Sequence, residues 1–331
     1  MSVRKVAELA GVAPMTVSRV INTPTKVRPE TRERVLKAIE RLGYVPDLVA
    51  SSLSSKRSRI VSALVPTLGN PMFSQVIQGL ADTLRAADYH LIIGDTRYSA
   101  KIESALVLEM LGRRPEAIVL TGPVREERIR KALLRAGITV VQIWDLQPGH
   151  IVDCAVGFDN YAAAVAMMRH LLGRGYRRLG FMAIVGDERA RERQVAFREA
   201  LAQHKLKPTF EALPSRFDPA YDPTDEFIRQ IEQHPETDAV FCASDMLAHL
   251  AIFACQRKGW AVPGRIALAG FGDLPLSAKI VPSLTSIRIN QYEIGRRAAE
   301  VIVQRAGGLR PRTLVQDLGY EIVERESTAP P

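Results

Sequence analysis

Three arginines lie within five residues, Arg189, Arg191 and Arg193 in the run DERARER. An anionic ligand needs at least one fixed cation, and a guanidinium fork matches two carboxylate or phosphate oxygens at once. The alternative is that Arg189 and Arg191 occupy a solvated helix face and Arg193 alone points inward. Near the amino terminus Thr16, Ser18 and Arg19 offer a second chemistry: hydroxyls for phosphates or base edges, and a guanidinium with the reach for a guanine. Ser244 and Asp245 follow the apolar run AVFCAS and either cap a helix or form a polar pocket wall. Other chemistries find no support. There is no GxxxxGK[ST], no GxGxxG after a strand, no GxSxG and no HExxH, and the six histidines (90, 150, 170, 204, 234, 249) are unpaired along the chain. Cys154, Cys242 and Cys255 are widely spaced and sit in or beside apolar runs, as buried thiols in a reducing compartment would. No cofactor, metal or catalytic residue is therefore expected, and the chain reads as a binding protein rather than an enzyme.

The elements that must position these groups follow from length and charge. At 331 residues, with 47% hydrophobic and 24% charged residues, the chain is globular and long enough for about two domains. No apolar run approaches 18 residues, and Arg4, Lys5 and Glu8 interrupt the amino terminus, so neither a spanning helix nor a secretory signal is expected and the protein should be cytoplasmic. The net charge of +9 is uneven. Residues 1–59 hold 12 Lys/Arg against 5 Asp/Glu, and the remaining residues hold 33 against 31. A basic head on a nearly neutral body implies a polyanionic partner for the head alone.

In the head, Val3, Val6, Ala7 and Ala10 share one helical face behind a Ser2 cap, and Gly11 stops the helix. Pro14 opens a second helix with Val17, Val20 and Ile21 inward and Met15, Thr16, Ser18, Arg19 and Asn22 outward. Pro29 opens a third, with Val35, Leu36, Ile39 and Leu42 inward and Gly43 at its end. Two short helices about a glycine turn make a helix-turn-helix; a basic three-helix protein-binding module is the alternative. Residues 47–59, DLVASSLSSKRSR, read as a linker. Asp47 could nonetheless cap a short helix with Val49, Ala50 and Leu53 on one face, too short to form without a partner.

AGVAPMTVSRVIN (10–22) and RPETRERVLKAIERLGYVPD (28–47) resemble the headpiece of the lac/gal repressor family, with Arg28 in place of the usual capping Ser and Asp47 in place of Asn. The resemblance places Pro14 and Met15 among the sequence-reading residues. It also implies that the linker folds against its copy in a second subunit, with Leu53 wedged into the minor groove at the centre of a palindromic operator. The expected DNA-contacting set is Ser2, Pro14, Met15, Thr16, Ser18, Arg19, Asn22 and Arg28 in the head, and Val49, Ala50, Leu53 and Lys56 in the hinge.

From Arg59 onward apolar runs at 60–65, 90–94, 117–122 and 139–143 alternate with amphipathic stretches, and the alternation restarts at 177–184, 239–244, 266–271 and 284–289. This βα rhythm predicts two doubly wound parallel-sheet lobes with a ligand at the strand carboxyl ends. The expected organisation is a headpiece over 1–46, a hinge over 47–59 and a body over 60–331, with lobe one about 60–159 plus 290–320 and lobe two about 160–289. The resemblance continues through the body, in PTLGNPMFSQVIQGLADTLRAADYHLIIGDT (66–96) and AGFGDLPLSAKIVPSLTSIRI (269–289), and implies lobes of periplasmic-binding-protein type that clamp a polyhydroxy effector.

By that resemblance Phe73 lies against the ligand, unless it is a core residue at a helix start. Arg193 in RERQVAF matches an arginine that reaches the ligand. Asp273 is the second acid of a pair whose first is Gly272 here, and Trp144 and Asp145 end a strand where the pocket closes. DCAVGFDN (153–160), DER (187–189), FACQRKG (253–259) and QDLGY (316–320) resemble the subgroup that represses gluconate genes. The expected effector is gluconate, a ketogluconate or phosphogluconate. The expected protein is a homodimer, or a tetramer of such dimers, released from double-stranded operator DNA by its effector. A corepressor-dependent member of the family and a sugar-acid enzyme carrying a DNA-binding head are the alternatives.

Overall fold

The computed structural model describes residues 2–44, 58–147, 149–184, 188–213, 222–309 and 314–329. The chain divides into two compact units, Met1–Arg59 and Ile60–Pro331. The first contains α1 (Val3–Ala10), α2 (Pro14–Asn22) and α3 (Pro29–Leu42). Val6, Ala7, Ala10, Val17, Val20, Val35 and Ala38 form its small core, covered by Tyr44. Gly11 adopts the left-handed conformation at φ +60, and Arg34 Nη2 donates to the carbonyls of Ala10 (2.6 Å) and Gly11 (3.1 Å), tying α3 to the end of α1. Two expectations fail here. Leu36 is half exposed rather than inward, because the α3 stripe runs through Val35, Ala38, Ile39 and Leu42 at i, i+3, i+4 and i+7 and leaves Leu36 at its margin. Ser2 sits at the cap position of α1, but its side chain makes no capping hydrogen bond. The hinge residues Val49, Ala50, Leu53 and Lys56, with Asp47, lie outside the described residues.

The second unit has two sheets of the same winding. In the first, β1 (Ile60–Val65), β2 (His90–Asp95), β3 (Ala117–Thr121), β4 (Thr139–Asp145), β5 (Cys154–Phe158) and β11 (Val315–Asp317) run in the order 2-1-3-4-5-11, all parallel. In the second, β6 (Leu179–Met182), β7 (Glu211–Ala212), β8 (Ala239–Cys242), β9 (Ala267–Gly272), β10 (Thr285–Arg288) and β12 (Glu321–Val323) run in the order 7-6-8-9-10-12, with β12 antiparallel to β10. The order reverses between β1 and β3 in one lobe and between β6 and β8 in the other. A doubly wound sheet opens its ligand crevice at that point. Buried β-branched and leucine residues on both faces of the central strands, such as Val61, Leu64, Val119 and Ile118, explain why helices must cover each side.

The intervening helices are α4 (Pro71–Ala86), α5 (Ala100–Gly112), α6 (Glu127–Ala136), α7 (Asn160–Gly173), α8 (Glu188–Gln203), α9 (Pro223–Gln233), α10 (Asp245–Lys258) and α11 (Gln291–Ala306). Helix α11 returns from lobe two to pack on α4 of lobe one. The fit is backbone to backbone: a Cβ on Gly79 would lie 2.1 Å from the Tyr292 carbonyl oxygen, and one on Gly295 would lie 2.0 Å from that of Val76. The chain then crosses back. Strand β12 and residues 324–329 join lobe two, where Thr328 meets His170 (2.9 Å) and Tyr176 donates to the Ala329 carbonyl (3.0 Å). Lobe two therefore includes a segment beyond residue 320, a returning strand that no long apolar run announces.

Candidate functional site

The cleft between the lobes holds a cavity of about 270 Å³ at the carboxyl ends of the central strands. Its lobe-one wall is aromatic: Phe73 in the first turn of α4, Tyr98 before α5, and Trp144 in β4. Its lobe-two wall carries Arg189 and Arg193 from α8, and Ser244 before α10. Phe73 and Trp144 pack at 5.2 Å between ring centroids, Trp144 on Phe158 at 5.9 Å, and Phe158 on Phe271 at 5.9 Å, so one aromatic row runs from lobe one into lobe two. Trp144 holds φ +84, an uncommon conformation for a bulky residue, and its neighbour strand accommodates it at Gly157, where a Cβ would lie 2.7 Å from the Trp144 carbonyl carbon. Its indole Nε1 is buried and has no hydrogen-bond partner among the described residues.

Arg189 is 5% exposed and reaches across the cleft. Its guanidinium carbon lies 5.1 Å from the Phe73 ring centroid, 5.8 Å from that of Trp144 and 5.9 Å from that of Tyr98. Aromatic faces stabilise a desolvated cation while leaving guanidinium edges to bind oxygen. Arg193, one turn along α8, is used differently. Its Nε and Nη2 donate to Asn160 Oδ1 at 3.2 and 2.8 Å and its Nη1 to the Ala243 carbonyl at 2.6 Å, while its guanidinium stacks 3.5 Å from the Phe271 centroid. Arg193 thus joins α7, β8 and β9 as well as bordering the cavity. Of the two readings of the cluster, the alternative in which Arg193 alone points inward does not hold: Arg189 is buried against the cavity as well, and Arg191 is exposed.

Two proposed effector acids are engaged elsewhere. Asp245, at the first turn of α10, is fully buried and accepts from Leu274 N (2.7 Å), Ser277 Oγ (2.6 Å) and Ser286 Oγ (2.5 Å). It fastens the 273–286 segment to α10 and does not line the cavity. Burial raises its carboxyl above the ordinary range, and these three donors pull it back. Asp273 also turns away, because Gly272 and Asp273 both take positive φ. Its two oxygens accept from Arg288 Nε (2.7 Å) and Arg325 Nη2 (2.6 Å). Asp145 is buried at the end of β4, with its carboxyl raised chiefly by burial, and it faces a neighbouring cavity together with Glu192 and Asp159. Ser244 serves both readings: its Oγ caps α10 at Leu247 N (3.4 Å) and its side chain borders the cavity.

Residues that the sequence reading passed over include Tyr98 and Glu103. Tyr98 follows Arg97, both at positive φ, in the turn TRYS, and only that turn carries its ring to the cleft. In the head, Met15 (64% exposed), Pro14 and Arg19 are exposed on α2, with Thr16 and Ser18 half-buried beside them. Arg28 is exposed at the start of α3 without a capping hydrogen bond, and the Asn22 side chain lies outside the description.

Residues 2–47 match the family described as bacterial regulatory proteins of the lacI family, and residues 168–328 match a periplasmic binding protein-like domain. The chain is 36% identical over 328 residues to the HTH-type transcriptional regulator GntR of Pseudomonas aeruginosa, covering 99% of this chain and 95% of that one. It is 30% identical to the HTH-type transcriptional regulator IdnR of Escherichia coli, over 97% of each chain. A crystal structure of a LacI-family transcriptional regulator from Silicibacter pomeroyi superimposes with a TM-score of 0.92 at 32% identity, over 99% of both chains. These relatives are regulators rather than enzymes. A helix-turn-helix unit followed by a two-lobed binding unit, matched over nearly the whole length, makes this chain a member of the lacI family of bacterial transcriptional regulators.

Proposed function

We propose that this regulator represses sugar-acid catabolic genes and leaves its operator when gluconate, a ketogluconate or phosphogluconate enters the cleft. The observation that carries the reading is Arg189: a nearly buried cation set against three aromatic rings in a cavity of about 270 Å³. Benzene fills an engineered cavity of about 150 Å³, so this one has room for roughly a dozen heavy atoms, the size of a six-carbon acid. The resemblance of 153–160, 187–189, 253–259 and 316–320 to the gluconate subgroup supports the same class. In this reading the exposed face of α2, with Met15, Thr16, Ser18 and Arg19, enters the major groove. Two chains act as a homodimer on a palindromic site, and the hinge around Leu53 grips the operator centre. An effector that binds one lobe arrangement about 5 kcal/mol better than the other suffices to switch nearly all of the population.

The test is fluorescence anisotropy of a labelled operator fragment titrated with sugar acids, neutral sugars and nucleosides. Sugar acids alone should release the DNA. Tighter operator binding with a sugar acid would reverse the sign to corepression, and release by neutral sugars but not acids would overturn the effector class.

A further inference from the structure

Beside the aromatic cavity lies a second, smaller one of about 140 Å³, bordered by Thr96, Ser99, Glu103, Thr121 and Arg125 and sharing Tyr98 and Arg189 with the first. It sits where β1, β2 and β3 end, at the point where the lobe-one strand order reverses. Most of its polar groups are already engaged: Ser99 Oγ accepts from Ile102 N (3.3 Å), Ser104 Oγ donates to Glu126 (2.5 Å) and Thr121 Oγ1 donates to the Leu64 carbonyl (2.9 Å). Glu103 differs. Its carboxyl is half-buried in the first turn of α5, and among the described residues no hydrogen bond reaches it. Burial pushes that carboxyl up to about 7 against the pull of Arg189, the state of an acid that has been desolvated without being given donors.

We infer that Glu103 receives the far end of the effector: the acid lies along Arg189, which borders both cavities, with most of its atoms in the first and its terminal hydroxyl reaching into the second to donate to Glu103. Above about pH 7 Glu103 is ionised and supplies acceptors only, so there the site favours a tail that donates and disfavours one ending in a phosphate, which would set two like charges together. Arg125 also lines this cavity, but its side chain is exposed, so solvent screens it, and it borders the neighbouring cavity of Glu192 as well. The inference rests on the sugar-acid reading above and narrows it to unphosphorylated open-chain acids.

The experiment is calorimetric titration of the full chain with gluconate and with 6-phosphogluconate, for wild type, Glu103→Gln and Glu103→Ala. Operator affinity and thermal melting serve as controls of folding. Wild type should bind gluconate at least tenfold more tightly than 6-phosphogluconate, and both substitutions should reduce that ratio about tenfold or more, the weight of a hydrogen bond to a charged group. Glu103→Gln is close in shape and decides the matter if Glu103→Ala does not fold. A ratio unchanged in Glu103→Gln, with gluconate still bound by wild type, overturns the Glu103 assignment and leaves the effector class intact. Wild type binding neither acid overturns both.

Discussion

Arg189 and Arg193 stand four residues apart on α8, and the structure gives them different work. Arg189 lies against three rings of the opposite lobe, whereas Arg193 is bonded within its surroundings to Asn160 and Ala243. Replacing Arg189 with Met should weaken effector binding by roughly 10- to 100-fold in calorimetric titration, the loss of charge-assisted bonds. Arg193→Ala strands a buried amide and a buried carbonyl, so it should cost on the order of 3 kcal/mol in stability, read as a lowered denaturant midpoint, as well as effector response. A stable Arg193→Ala protein with intact effector binding would contradict both roles. The arginine cluster was legible in DERARER because three cations at i, i+2 and i+4 stand out in any sequence. Which of them turns inward depends on rings supplied from positions 73, 98 and 144. The same limit explains Asp245 and Asp273, whose partners Ser277, Ser286, Arg288 and Arg325 are brought to them only by the sheet.

At the scale of elements, the head helices were readable from 3.6-residue periodicity and their glycine stops, and β1–β4, β6 and β8–β10 from short apolar runs. Strands β7, β11 and β12 were not, being two or three residues long and without an apolar run, and β5 lay hidden in the mixed run DCAVGFDN. Leu36 shows that periodicity alone misassigns a residue at the margin of a stripe. The α4–α11 contact was equally invisible, since nothing in GLADT or EIGRR says that each glycine meets the backbone of the other helix. A Gly295→Ala protein must move the helices apart to admit one methyl group 2.0 Å from a carbonyl oxygen. It should lose about 1–3 kcal/mol or more, measured by chemical denaturation of the full chain, while α2 is untouched. A denaturation midpoint equal to wild type would show that the helices can separate without cost.

For the whole molecule, three buried titratable groups set opposing pH dependences. Burial raises Glu103 and Glu192 from 4.5 to about 7, so between those values the folded chain holds protons that the unfolded chain releases, and stability falls as pH rises through that window. His249, bonded to Ser277 and buried, is lowered from 6.5 to about 4, and the unfolded chain therefore takes up the extra proton first. Its contribution, full above 6.5, is lost as pH falls from 6.5 towards 4. Glu103→Gln removes one rising-pH penalty. Its melting temperature should match wild type near pH 4.5 and exceed it by a few degrees at pH 7.5, by scanning calorimetry at the two pH values. A constant offset at both would mean that Glu103 is not held protonated by burial.

The pairing of α4 with α11 also bears on synthesis. Helix α4 ends at residue 86 and its partner begins at 291, so the nascent chain carries an exposed apolar flank, including Val76 and Leu80, through more than two hundred residues of translation. The helix-turn-helix at 2–44 needs nothing downstream for its own small core and can form while lobe one is still waiting. A ribosome that stops before α11 therefore releases a chain with a formed DNA-reading head on an unfinished body, a natural client for chaperones and proteases. The close glycine contact is thus among the last in the body whose two partners are both present on the growing chain.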